Sequence, residues 1–139
     1  MNENPLQKFI DAQENIYTNA LAEIKNGCKK SHWMWFIFPQ ISGLGVSETS
    51  RYYAIKDINE ATSYLHHNLL GSRLIEISQA LLDLDCNNVQ KIFGYPDDLK
   101  LFSSMTLFTQ ILNAPLIFQK VLDKYFNGKL DVKTLKLLK

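Results

Sequence analysis

Only a few side chains in this sequence combine reactive chemistry with a suggestive placement, and most flank the run Trp33-Met34-Trp35-Phe36-Ile37-Phe38. His32, at the front edge of the run, is the best candidate catalytic residue, because imidazole changes charge near neutral pH and can give or take a proton there. Its plainer role is a first-turn side chain hydrogen-bonded to a neighbouring loop. Ser31 and His32 do not read as a nucleophile and its base. Adjacent residues at a helix start project about 100° apart, and no third group orients the pair. At the far edge, Gln40 adds an amide. Arg51 follows the Gly43-Leu44-Gly45 loop with Tyr52 and Tyr53 beside it. A guanidinium next to aromatic rings suits a carboxylate, a phosphate or a stacked base. Arg51 could equally pair with Asp97 or Asp98 and fasten two helices. Lys100 shares a helix face with Ser103 or Ser104, an arrangement able to hold a phosphate. Serines inside helices more often bond the carbonyl four residues back, however, and no glycine-rich phosphate loop precedes these.

Metal chemistry has little to build on. Cys28 and His32 are one turn apart only if a helix runs through Gly27, His66 and His67 point different ways, and no carboxylate completes a cluster. No metal and no cofactor is expected. Asp97 and Asp98, next to Pro96, suit a helix start better than acid catalysis.

These residues must be positioned by helices. Asn4-Pro5 is a start signal, after which Phe9, Gln13, Tyr17, Leu21 and Phe9, Ala12, Ile16, Ala20, Ile24 recur at helical spacing up to Gly27. That pattern predicts one helix of about five turns. Ser31 is expected to cap a short second helix that Pro39 ends. Its six large apolar residues leave no polar face, so they should be buried nearly all round. Ser47 opens a third helix carrying Arg51, Tyr52 and Tyr53, and Asp57 or Asn59 caps a fourth. Leu70, Leu74, Ile77 and Leu81 predict a helix that begins after Gly71, since glycine costs about 1 kcal/mol inside a helix. Asn87 or Asn88 caps a short helix closed by Gly94. Pro96-Asp97-Asp98 starts one running to near Asn113, and Pro115 starts another that Asn127-Gly128 stops. Asp131 caps a last helix docking through Leu135 and Leu138. No alternating run of five residues lies between turn signals, and no fixed-period repeat emerges. The predicted fold is all-α: a compact multihelical single domain, 1–139, of about eight or nine helices, with 127–139 a terminal helix that could lie at the periphery.

Composition agrees. At 139 residues, with 46% hydrophobic and 21% charged residues, the chain has the makings of a globular core rather than a disordered segment. Fifteen basic against fourteen acidic residues leave a net charge of +1, which gives little attraction for nucleic acid or an anionic membrane. The lysines of the last eleven residues read as a solvated face. Two widely separated cysteines, no secretory leader and no apolar run near the ~20 residues that span a bilayer point to a cytoplasmic protein with reduced thiols.

A longer pattern identifies a family. Ser31-His32-Trp33-Met34-Trp35-Phe36-Ile37-Phe38-Pro39-Gln40, then Gly43-Leu44-Gly45 and Arg51-Tyr52-Tyr53-Ala54-Ile55, resemble the signature of the small bacterial domain-of-unknown-function 1810 family. Leu70-Gly71 with Arg73-Leu74, Ile92-Phe93-Gly94, Asp97-Asp98-Leu99-Lys100-Leu101 and Ser103-Ser104-Met105-Thr106-Leu107-Phe108 match in the same order, from about Leu6 to Phe126. The resemblance implies a compact multihelical protein and no established activity. The calpastatin label that some members carry does not suit this chain, because an inhibitor of that kind is long, polar and disordered.

The functional expectation is a cleft for a small anionic or nucleotide-like ligand, with or without catalysis, beside the His32–Gln40 segment. Trp33, Trp35 and Phe36 would form its floor, and His32, Gln40, Arg51, Tyr53, Lys100 and Ser104 its rim. The alternative is a non-catalytic protein–protein interaction module whose aromatics are core or a docking groove.

Overall fold

The computed structural model describes residues 4–139, which contain ten helices and no named strand. The first half holds α1 (Gln7–Gln13), α2 (Tyr17–Lys25), α3 (Met34–Ile37), α4 (Glu48–Tyr52) and α5 (Ile58–His66). The second holds α6 (Asn68–Asp83), α7 (Val89–Phe93), α8 (Asp97–Thr109), α9 (Ile117–Phe126) and α10 (Val132–Leu137). The all-α expectation is met, with slightly more helices than the predicted eight or nine.

The first long helix is two. Between α1 and α2 the ladder tightens, with Glu14 N–H donating to Asp11 O and Ile16 N–H to Gln13 O. The kink has a tertiary cause. Gln13 is buried, and its amide donates to Phe36 O at 2.7 Å and to the Tyr64 hydroxyl at 3.0 Å. One turn later, the Tyr17 hydroxyl bonds Glu76 on α6 at 2.5 Å. Re-aiming the axis lets α1 face α3 while α2 lies along α6.

Pro39 ends α3 as expected, but Trp33 rather than Ser31 occupies the position before it, and no side chain caps it. Ser31 is drawn off to Glu23, where its hydroxyl donates at 2.6 Å. The aromatic run is not buried all round either. Trp33, Met34, Ile37 and Phe38 are buried, but one helical turn carries Trp35 and Phe36 to a half-exposed face. Trp33, Phe38 and Phe93 form one aromatic cluster with ring centroids 6.0–6.4 Å apart. Phe9, Tyr64, Phe108 and Phe118 form another, with successive pairs 5.2–5.6 Å apart. Such spacings add to the stabilisation from burial.

Helix α8 runs through the middle, packing on α5, α7, α9 and α10, and every side chain from Ser103 to Phe108 is buried. It stops at Thr109, short of Asn113, which takes a left-handed φ of 61° in the turn before α9. Helix α6 starts at Asn68 and includes Gly71 instead of following it, because His67 caps it by accepting from Leu69 and Leu70 N–H. Lys124 on α9 fastens the other end of α6: its ammonium donates to the carbonyls of Leu81, Leu82 and Leu84. Lys124→Met leaves those acceptors without the charge-assisted donor. It is expected to lower stability by about 1–2 kcal/mol, read as a lower urea midpoint at an unchanged slope.

Two backbone bonds, Ser42 N–H to Ile55 O and Ile55 N–H to Gln40 O, both 2.8 Å, close the segment that carries α4 into a loop. No helix among the described residues is long and apolar enough to cross a membrane.

Candidate functional site

The 40–45 loop, the first turns of α8 and the start of α10 enclose an open cleft of about 340 Å³. Helix α8 supplies Leu99, Lys100, Phe102 and Ser103; the loop supplies Gln40 and Leu44; Asp131 and Lys133 stand opposite. The volume is near the lower end for small-ligand sites, which run from about 300 Å³ upward.

Lys100 is held rather than free. Its ammonium sits 4.4 Å from the centroid of the Trp35 ring and 3.3 Å from Asp97 Oδ1. Attraction to the ring face and to the carboxylate limits the wandering of a long flexible side chain. Asp97 is itself shared: its other oxygen lies 2.8 Å from the nearly buried Lys29 ammonium. Lys29 in turn donates to Ser31 O and lies 5.0 Å from the Trp33 ring centroid. The N-terminus of α8 is therefore tied through alternating charges to the segment before α3.

On the opposite wall Asp131 is fully engaged. Its Oδ2 accepts from the hydroxyls of Ser103 and Thr134, both at 2.7 Å, and its Oδ1 from Lys133 N–H at 3.3 Å. Its own N–H donates to Thr106 Oγ1 at 2.9 Å. This network pins α10 to α8 and caps α10 as the sequence predicts. The Ser103 hydroxyl has one proton, and its acceptors are the Asp131 carboxylate and, at 3.2 Å, Leu99 O. No imidazole lines the cleft to activate it.

The seven sequence-derived candidates divide. Gln40 and Lys100 line this cleft, and Trp35 supports Lys100 from outside it. The other four do not line it. His32 is exposed, and so is Arg51, which pairs with neither Asp97 nor Asp98; Asp97 takes the two lysines instead. Tyr53 packs between Phe36 and Phe9, with ring centroids at 5.3 and 5.8 Å. Ser104 is completely buried, and its hydroxyl has no hydrogen-bond partner among the described residues. A wider depression of about 720 Å³ lies along α1 and Tyr52, but none of the seven lines it. No group of three or more His, Cys, Asp or Glu among the described residues is arranged to hold a metal ion.

Two polar centres escaped the sequence reading. Glu23, buried, accepts from Lys30 N–H at 2.7 Å, from Ser31 N–H at 3.0 Å, and from the Ser31 hydroxyl. It also accepts from Trp33 Nε1 at 3.0 Å and from the Asn19 amide at 2.8 Å. Burial alone would raise its pKa. The bonds from Ser31, Lys30 and Trp33 outweigh burial and hold it at about 2, against an ordinary 4.5. The second centre links Tyr17, Glu76, Arg73, Gln13 and Tyr64. Burial raises the Tyr17 phenol far above its ordinary range, with the Glu76 carboxylate adding to the effect, so it stays protonated at neutral pH. Neither centre has a local signature: apart from Asn19, one turn before Glu23, the partners of Glu23 lie in the loop before α3, and the second centre joins α1 and α2 to α5 and α6.

Fold and cleft together define a small all-helical protein with an open cleft, part apolar and part cationic, beside an aromatic helix. The chain belongs to the family described as protein of unknown function (DUF1810), whose sequence model matches residues 3–138. It is similar to the conserved hypothetical protein Rv1873 from Mycobacterium tuberculosis, known from a crystal structure. The two are 44% identical over 96% of this chain and 95% of that one, with a TM-score of 0.93. No curated protein matches the chain.

Proposed function

We propose that this protein binds a small anionic ligand with a partly planar body, the class to which nucleotides belong, in the cleft between α8, α10 and the 40–45 loop. The observation that carries the reading is the restrained Lys100 ammonium, set against Trp35 and opening on a cleft that also holds Gln40 and Lys133. A pre-positioned ammonium loses less freedom on meeting an anion than a mobile one. Gln40 can donate to or accept from the same ligand. Lys133 supplies a second cation from the opposite wall.

Trp35 is a built-in reporter, because an anion bound at Lys100 changes the charge that its ring faces. Titration with inorganic phosphate, AMP and small carboxylates is expected to change tryptophan fluorescence in the wild-type protein. Lys100→Ala should weaken the response by about tenfold, equivalent to the ~1.4 kcal/mol that one charge-assisted contact supplies. Arg51→Ala should leave it unchanged, because Arg51 lies outside the cleft. Equal loss in both variants, or no response to any of the anions, defeats this reading and favours the interaction module. Leu112 and Leu116, exposed at the turn between α8 and α9, would be the first surface to examine for that alternative.

A further inference from the structure

Resting on that reading, we infer that the ligand of the α8–α10 cleft is an amphiphilic monocarboxylate, an acid with a compact apolar body, rather than a phosphate ester. Three observations carry this.

The first is the charge balance. Lys100 and Lys133 bring two positive charges to the cleft, and Asp131 brings one negative charge on the same lining. Asp97 touches Lys100 from outside the lining, but Lys29 neutralises Asp97 at 2.8 Å. The surplus is one positive charge. A single carboxylate matches it, whereas a phosphate monoester near neutral pH carries between one and two negative charges and would meet the fixed Asp131 carboxylate without a compensating cation.

The second is the donor set. Selective phosphate sites commonly add clusters of backbone N–H groups or guanidinium forks to their lysines. Here the side-chain donors are two ammonium groups and one amide, while the Lys133 N–H is already spent on Asp131. Among the described residues, no arginine lines the cleft. One restrained ammonium on α8 and one exposed ammonium on α10 suit the two oxygens of one carboxylate.

The third is the apolar share. Leu44, Leu99, Pro96 and Phe102 make the apolar part of the lining, and Phe102 is backed by the Phe126 ring at 4.8 Å in a stacked arrangement. Leu99 is 48% exposed, so covering it removes apolar area from water. A hydrophilic anion leaves that surface wet and gains nothing from it.

The test is a matched titration of the full chain, followed by calorimetry and by tryptophan fluorescence, with acetate, phenylacetate and AMP. Phenylacetate is expected to bind about tenfold more tightly than acetate, the difference that burying a ring against Leu99 supplies, and more tightly than AMP. Leu99→Gln, at a half-exposed position, should shrink the phenylacetate advantage over acetate severalfold. Lys100→Ala should weaken both. AMP binding as tightly as phenylacetate overturns the inference and leaves the anion-binding reading standing. An aryl preference undiminished in Leu99→Gln also overturns it. Failure of all three probes to bind overturns both.

Discussion

Replacing Gly71 with alanine is expected to destabilise the protein by about 3 kcal/mol, the upper end of ordinary overpacking effects, lowering its melting temperature by about 10 °C. The usual rule runs the other way: glycine inside a helix is about 1 kcal/mol worse than alanine, so the exchange normally stabilises. Here a Cβ at position 71 would lie 1.9 Å from Leu65 O and 2.9 Å from Leu65 C. Both are backbone atoms at the end of α5, so no rotamer change relieves the contact. The tight turn through His67, which accepts from Leu69 and Leu70 N–H while its own N–H bonds Ser63 and Tyr64 carbonyls, leaves α5 and α6 little room to part. Both helices pack into the core around Tyr64, Leu70 and Leu74, so the displacement spreads. Ser72→Ala, one residue on and exposed, is the control and should be neutral or slightly stabilising. If thermal and urea unfolding place Gly71→Ala at or above the wild type, the close approach of α5 to α6 is wrong.

Removing the Glu23 charge is the second large effect. Its carboxyl is held at about 2 against an ordinary 4.5, a difference that corresponds to about 3 kcal/mol of stabilisation when fully ionised. The sign follows from a folded-state value below the unfolded one: the stabilisation is complete above about pH 4.5 and is lost as pH falls toward 2. Glu23→Gln keeps the shape but replaces a charged acceptor by a neutral one and adds donors opposite N–H groups, so Trp33 Nε1, Ser31 N–H and Lys30 N–H lose their charged partner. The variant should be less stable than the wild type by about 3 kcal/mol at pH 7, a gap that narrows on acidification. Urea midpoints at a series of pH values measure this directly. A gap that stays constant from neutral pH down to pH 3 would show that the variant's defect is packing and not charge. The same experiment bears on the cleft, because Glu23 holds the segment from which Lys29 reaches Asp97, the partner of Lys100.

Much of the helical framework was legible along the chain because it is written in local chemistry. Ser47, Asp57, Asn88 and Asp131 each cap a helix with their own side chain, as their residue types and positions predict. Asn127, in the left-handed conformation, ends α9 where an Asn-Gly pair belongs. Readings failed where a distant group outbids a local preference. Ser31 would cap α3 were it not for Glu23, the ladder between Gln13 and Tyr17 yields to Phe36, Tyr64 and Glu76, and Gly71 serves contact with Leu65 rather than helix initiation. The candidate site divides the same way. Residue chemistry could nominate Lys100 and Gln40, but nothing near them in sequence announces Asp131 and Lys133 as the facing wall. Arg51, Tyr53 and Ser104 had comparable chemical claims and His32 a stronger one, and the fold sets all four apart.

The sequence by itself determined that this is an all-helical member of its family, because helical period, caps and stop signals act within a few residues and the family's aromatic signature is contiguous. Tertiary structure alone decided that Trp35 faces outward under a lysine while Trp33 is sealed in beside a carboxylate, and which polar groups share a cleft. Those outcomes depend on contacts between segments far apart in the chain, where the direction of a helix axis, and not the identity of a neighbour, sets which side chains meet.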